Sequence, residues 1–186
     1  MDSPQQLSRS TVLLHWFVAL GMIGLTAVGL YMSRAEVWFL YPIHKSIGVL
    51  VFGLILLRVV WRLRNGWPAQ VAEGSPLEHR LAQLVHWLLI GLTLAMPITG
   101  MMHSGAGGHG IAIFGLQLLP SQHKPDAPGE ALPYNQNVAE WGEELHEWLG
   151  YLLILTVMLH LAGALKHHWV YKDGVLRRML GQRIET

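Results

Sequence analysis

Histidine is the residue type with which this chain could do chemistry. It has eleven histidines and no cysteine, and two of the histidines, His146 and His160, stand at either end of one very apolar stretch. At 3.6 residues per turn, fourteen steps bring the second imidazole to within about 40° of the first and roughly 21 Å along the helix axis. Two ligand-type side chains therefore share one face at two depths. They could hold two flat cofactors, one above the other, if other helices bring partners to the same two depths. The lack of cysteine excludes disulfides, iron–sulfur clusters, thiolate catalysis and covalently attached c-type haem.

The elements that must carry these histidines are membrane spans. Of the 186 residues, 52% are hydrophobic and only 13% charged, where soluble domains carry about 25% charged residues. A net charge of +1 gives no electrostatic case for nucleic acid as a partner. Residues 11–33 contain no charge and are long enough to cross a hydrocarbon core of about 30 Å. The run is longer than a signal-peptide core and ends in no small-residue cleavage site, so it reads as a retained span. The sequence predicts an all-α, four-helix up-and-down membrane bundle forming one domain over 1–186. Its helices lie at about 11–33, 43–63, 78–103 and 140–171, and an outer loop covers 104–137. The second span is the weakest by hydropathy, and Arg58, Arg62 and Arg64 are expected to extend their stems toward an interface. Trp38, Trp61, Trp67 and Trp169 read as interface tryptophans. Pro97 is expected to kink the third helix, and the Gly- and Pro-rich loop to be irregular backbone outside the bilayer.

Four spans put both termini on one side. That side collects ten of the thirteen Lys and Arg residues, leaving only Arg34, Lys45 and Lys124 opposite, so the termini are cytoplasmic. Depth then sorts the histidines. His15, His86 and His160 each lie six residues from a flanking cytoplasmic cation, Arg9, Arg80 and Lys166, about one and a half turns into the membrane. His44, His103 and His146 form a comparable layer at the outer end. Each layer offers three candidates where a bis-histidine haem needs two. Ionisable side chains inside a membrane are costly, so three at one depth call for a function. His79, His109 and His123 fall in loops and read as solvated, and His167 and His168 as interfacial. A zinc or di-iron site would add carboxylates or cysteines to the histidines, and none lies near the inner layer. Histidines alone at two separated levels suit haem, whose two axial imidazoles leave no open position on the iron. Glycines such as Gly29 and Gly150 could make room for porphyrin edges or for close helix packing.

With these residues in view, the chain resembles the bacterial cytochrome b561 family of small four-helix membrane proteins over nearly its full length. The matching pieces are Leu13-Leu14-His15-Trp16, Pro42-Ile43-His44-Lys45-Ser46-Ile47-Gly48, the pair His146 and His160, and Lys166-His167-His168 followed by Leu176-Arg177-Arg178-Met179. The resemblance implies two haem b groups, the inner held by His15 and His160 and the outer by His44 and His146, with His86 and His103 left as neighbours. It implies a multi-pass protein of the bacterial inner membrane that moves electrons to ubiquinone near the inner haem, where His167, His168 and Trp16 are candidates for the quinone site. It also implies superoxide oxidase activity, with electrons entering at the outer haem from superoxide or another periplasmic donor. Lys45 and Arg34 are the candidate anion entrance, although the outer end of the fourth helix is rich in glutamate. Two other readings are a cytochrome b subunit relaying electrons between quinol and a separate periplasmic redox partner, and a haem-free membrane metal-ion transporter or scaffold.

Overall fold

The computed structural model describes residues 2–66 and 73–184, so the expected interface position of Trp67 lies outside the described residues. Four helices long and apolar enough to cross a membrane dominate it: α1 (Arg9–Arg34), α2 (Leu40–Asn65), α3 (Pro76–Ala106) and α4 (Gln136–Lys166). A π-helical turn, His167–Tyr171, extends α4, and a short α5 (Val175–Met179) follows. Helix starts fall two to four residues earlier than hydropathy places them, and in α1, α3 and α4 polar caps, not apolar runs, begin them. The Ser8 side chain accepts from the Thr11 N–H at the start of α1. Ser75 and Glu78 form a capping box at α3 with Pro76 behind the cap, and Asn135 accepts from the Val138 N–H at α4. Such caps satisfy orphan amide donors of the first turn. The third helix continues past Pro97 to Ala106.

Contacts at the helix ends show the alternating topology. At one end, Arg62 of α2 meets Asp2 ahead of α1 at 3.3 Å, Lys166 of α4 pairs with Glu78 of α3, and the Trp16 indole donates to the Met179 carbonyl at 2.7 Å. The chain ends meet there too, where the Ile184 N–H donates to the Gln5 carbonyl. At the other end, Lys45 of α2 reaches Ser104 of α3 at 3.1 Å. Backbones pack most closely within the α3–α4 and α1–α2 hairpins, whereas α4 approaches α1 and α2 far less closely.

The middle of the bundle is an apolar plug of Val18, Met22, Val51, Ile55, Leu92, Met96 and Leu153. Leu153 lies seven residues from both His146 and His160, so this plug separates the two histidine layers. Outward faces are equally apolar, with Phe17, Leu20, Leu50, Leu57 and Leu155 all more than 45% exposed on the bare protein, as lipid contact requires. Trp38 and Trp169 are exposed, whereas Trp61 turns inward and donates to the Thr11 hydroxyl at 2.9 Å.

The outer loop is more ordered than its composition suggests. It holds two antiparallel hairpins, β1 (Ile111–Ile113) with β2 (Leu116–Leu119) and β3 (His123–Lys124) with β4 (Ala127–Ala131). The first turns at Phe114 and Gly115, both at positive φ, the backbone that a tight two-residue hairpin needs. It is fastened to the start of α2 by the Ser46 hydroxyl, which accepts from the Phe114 N–H at 3.0 Å and contacts the Ala112 carbonyl.

Candidate haem-binding site between the helices

The two helix-four histidines face imidazoles of other helices, His146 that of His44 and His160 those of His15 and His86. The rings of His44 and His146 have centroids 6.4 Å apart, and those of His15 and His160 are also 6.4 Å apart. A metal–nitrogen bond of about 2 Å, with the imidazole centre roughly 1.2 Å behind the ligating nitrogen, puts two axial rings about 6.3 Å apart across one ion. Both pairs fit that span. The third inner candidate does not: His86 stands 5.4 Å from His160, too close for two imidazoles to clasp an iron between them. At the outer level His103 turns away from the pair. Its Nδ1 lies 3.2 Å from the Ala139 carbonyl and its ring stacks toward His109 at 5.9 Å. Among the described residues no group of three or more His, Asp or Glu side chains converges as a metal-ion cage would.

The hydrogen bonds around each ring decide what it can offer. His146 Nδ1 lies 2.9 Å from the Met96 carbonyl and 3.2 Å from the Thr99 hydroxyl. A carbonyl only accepts, so Nδ1 carries the hydrogen and Nε2 keeps the lone pair a metal takes. His44 Nδ1 is buried with no hydrogen-bond partner, an unmet polar atom that is costly unless something else engages the ring. Both outer rings are seated against glycine. A Cβ at position 29 would lie 3.3 Å from the His44 ring, and one at position 100 would lie 3.1 Å from that of His146. At the inner level the Arg58 Nη2 lies 3.1 Å from His15 Nδ1. Arg58 therefore turns into the span toward a histidine instead of out to the interface, unlike Arg62, which reaches Asp2 and the Gly66 carbonyl.

The remaining site residues divide between free and engaged. The His167 Nδ1 is 2.5 Å from the Asp173 carboxylate, and the Trp16 N–H is held by Met179. His168 lines an open cleft of about 260 Å³ with Trp169, Lys172, Gly174 and Arg177 at the cytoplasmic end. On the outer side, Lys45 donates toward the Ser104 hydroxyl and the His109 and Gly110 carbonyls, and it lines a cleft of about 410 Å³ between α2 and the first hairpin. Arg34 donates to the Tyr151 hydroxyl at 3.2 Å. Sequence reasoning missed Arg58, Met96, Thr99 and Gly100. Of these only Arg58 left a signal, as a charge deep in a span.

Four spanning helices, with imidazoles facing one another across the gap between two hairpins, have the architecture of a membrane-embedded electron-transfer cytochrome. The family model for prokaryotic cytochrome b561 matches residues 6–182, and the chain belongs to that family, whose members bind haem b in the bacterial inner membrane. It is 31% identical to "cytochrome b561 homolog 2" of Escherichia coli K12 over 97% of this chain and 94% of that one. It is 30% identical to the "probable superoxide oxidase CybB" of Yersinia pestis over 91% and 93%, and 27% identical to "cytochrome b561 homolog 1" of E. coli K12 over 96% and 98%.

Proposed function

We propose that this protein is a di-haem superoxide:quinone oxidoreductase. His15 and His160 would hold the inner haem, and His44 and His146 the outer. The equal 6.4 Å separation of the two imidazole pairs carries this reading. Haem b, when bound, supplies a one-electron carrier at each level. The chain's own part is to present two neutral imidazoles per level, to keep the levels apart with the Leu153 plug, and to exclude water between them. The name of the Y. pestis relative supports superoxide as donor. In balance, two superoxide anions, one ubiquinone and two protons give two dioxygen molecules and one ubiquinol. The quinone would approach from the cytoplasmic end, where His168 is open to a cleft, with His167 and Trp16 alongside. Lys45 and Arg34 would line the outer entrance. Glu147 accepts from the Tyr151 hydroxyl that Arg34 also contacts, and Glu140, Glu143 and Glu144 belong to the same outer part of α4, which supports a second reading, a cytochrome subunit docking a basic periplasmic electron carrier.

Purified protein with two haems per chain, given superoxide and a soluble ubiquinone analogue, is expected to form quinol. Full haem loading without quinol formation would overturn superoxide as donor and favour the second reading. His15→Ala and His160→Ala should each remove the same haem, and His44→Ala and His146→Ala the other. Loss of a haem in His86→Ala, with both kept in His15→Ala, would overturn the pairing.

A further inference from the structure

We infer that Arg58 is the binding residue for a carboxylate of the inner haem, and that it leaves His15 to take up that role. The inference rests on the ligand pairing proposed above.

Arg58 sits two turns inside the cytoplasmic end of α2, four residues from Arg62 on the same helix face. The two arginines differ in one respect. Arg62 has a carboxylate, that of Asp2 at 3.3 Å. Arg58 has none, and its one hydrogen-bond contact among the described residues is His15 Nδ1 at 3.1 Å. A guanidinium inside a membrane is expensive unless an anion meets it. No acidic side chain of the neighbouring helices remains to do so. Helices α1 and α2 contain no Asp or Glu. Asp2 is engaged by Ser8, Thr11 and Arg62, Glu78 by Lys166, Tyr171 and Ser75, and Asp173 by His167. Haem b carries two carboxylates, and the inner one would bring them to the level of His15.

The contact that Arg58 does make points the same way. A guanidinium has donors only, so His15 Nδ1 accepts in that bond. A neutral imidazole has a single lone pair, and while Arg58 occupies it none is left for iron. Iron ligation by His15 and the Arg58–His15 bond therefore exclude one another. Arg58 must vacate the ring when the ligand set closes, and the freed fork of N–H donors matches a carboxylate. The charge then stays beside the inner haem, where it favours the reduced, less positive centre and biases electrons inward.

The test uses detergent-purified, haem-loaded protein carrying Arg58→Gln, Arg58→Leu or Arg58→Lys, with His160→Ala run in parallel to identify the inner haem by the spectrum it removes. The rate of haem transfer to excess apomyoglobin and the midpoint potential of each haem are read. Arg58→Gln and Arg58→Leu should release the inner haem at least tenfold faster and lower its potential, with the outer haem unchanged on both counts. Arg58→Lys should restore much of the potential. Both neutral variants remove the charge, but Arg58→Leu also leaves no polar amide to satisfy inside the membrane, so it is the variant expected to assemble if Arg58→Gln does not. Wild-type release and potential for the inner haem in either variant, or a change confined to the outer haem, would overturn the assignment of Arg58 alone. Retention of both haems in His160→Ala would overturn the pairing beneath it.

Discussion

At the scale of single residues, the orientation of an imidazole is worth as much as its presence. His146 is aimed by the Met96 carbonyl and wedged by Gly100, so the ring has one place to be. An added methyl at position 100 would stand 3.1 Å from its Cε1 and 3.2 Å from its Nδ1, inside ordinary van der Waals contact. The ring can yield only by loosening the bond that fixes its tautomer. Gly100→Ala should therefore shift the midpoint potential or lower the occupancy of the haem that His146→Ala removes, and leave the other intact. Disturbing the environment of a ligating histidine typically costs 10–100-fold in metal affinity, so haem content per chain in a spectroscopic titration is sensitive enough to show it. Gly53 has open space around its Cβ position, so Gly53→Ala is the control expected to leave both haems in place.

The same residues show why the sequence revealed some of this and hid the rest. Histidine spacing, the span count and the side of the termini follow from periodicity and charge, and all were legible. The rotation of each helix about its own axis was not. A membrane helix is apolar on its lipid face as well as its inner face, so no amphipathic stripe marks the inside. In α2, Leu50 is exposed while Val51 and Ile55 are buried, and nothing in those residue types separates them. Depth alone therefore left His15, His86 and His160 as equals, and only the family resemblance chose between them; the ring distances of 6.4 Å for His15 and 5.4 Å for His86 from His160 could not be read from the sequence. Met96 was invisible because it acts through its carbonyl, which every residue has.

At the scale of elements, the fold is two tight hairpins with a looser seam between them, and the paired histidines span that seam. The α3–α4 contact depends on Gly142, where a Cβ would fall 2.5 Å from the backbone nitrogen of His103. No side-chain rotation can relieve a clash with backbone, so the helices would have to part. Gly142→Ala should cost about 1–3 kcal/mol, the usual penalty of overpacking, seen as a lower melting temperature in detergent. Because Gly142 lies one turn before His146, the outer haem should be the one lost first.

The cytoplasmic end is tied by a smaller device. Burial alone would raise the Asp2 carboxyl pKa, but the Ser8 N–H, the hydroxyls of Thr11 and Ser8, and the Arg62 charge together hold it below the ordinary value. A carboxyl with a depressed folded pKa stabilises above its unfolded pKa, near about 3.9, and the contribution is lost as pH falls through the folded value. Asp2→Asn should thus lower thermal stability at pH 7, by about 1–2 kcal/mol for lost charge-assisted hydrogen bonds. The gap between variant and wild type should begin to narrow below about pH 4 and close only below the depressed folded value, where both side chains are neutral. A gap of the same size at pH 7 and at the acid end of the titration would assign the effect to shape instead of charge.

At the scale of the whole molecule, the two membrane faces have opposite character, and that sets how an electron donor arrives. The outer side carries Arg34, Lys45 and Lys124 against seven carboxylates, Glu36, Asp126, Glu130, Glu140, Glu143, Glu144 and Glu147. One cation is already answered, since Lys124 bonds Glu130 and holds its carboxyl below the usual range. The amine of Lys45 is aimed at Ser104 and two loop carbonyls. Superoxide therefore approaches a net negative surface and is repelled at long range. Raising ionic strength from about 10 mM to about 150 mM shortens the screening length from about 30 Å to about 8 Å, so haem reduction by superoxide should speed up with salt. A basic protein donor would be attracted by the same field, and its reaction should slow under the same change. Stopped-flow reduction across that salt range separates the cases. A superoxide rate that falls with salt would mean that Lys45 and Arg34 govern the approach, and Lys45→Gln should then weaken the dependence.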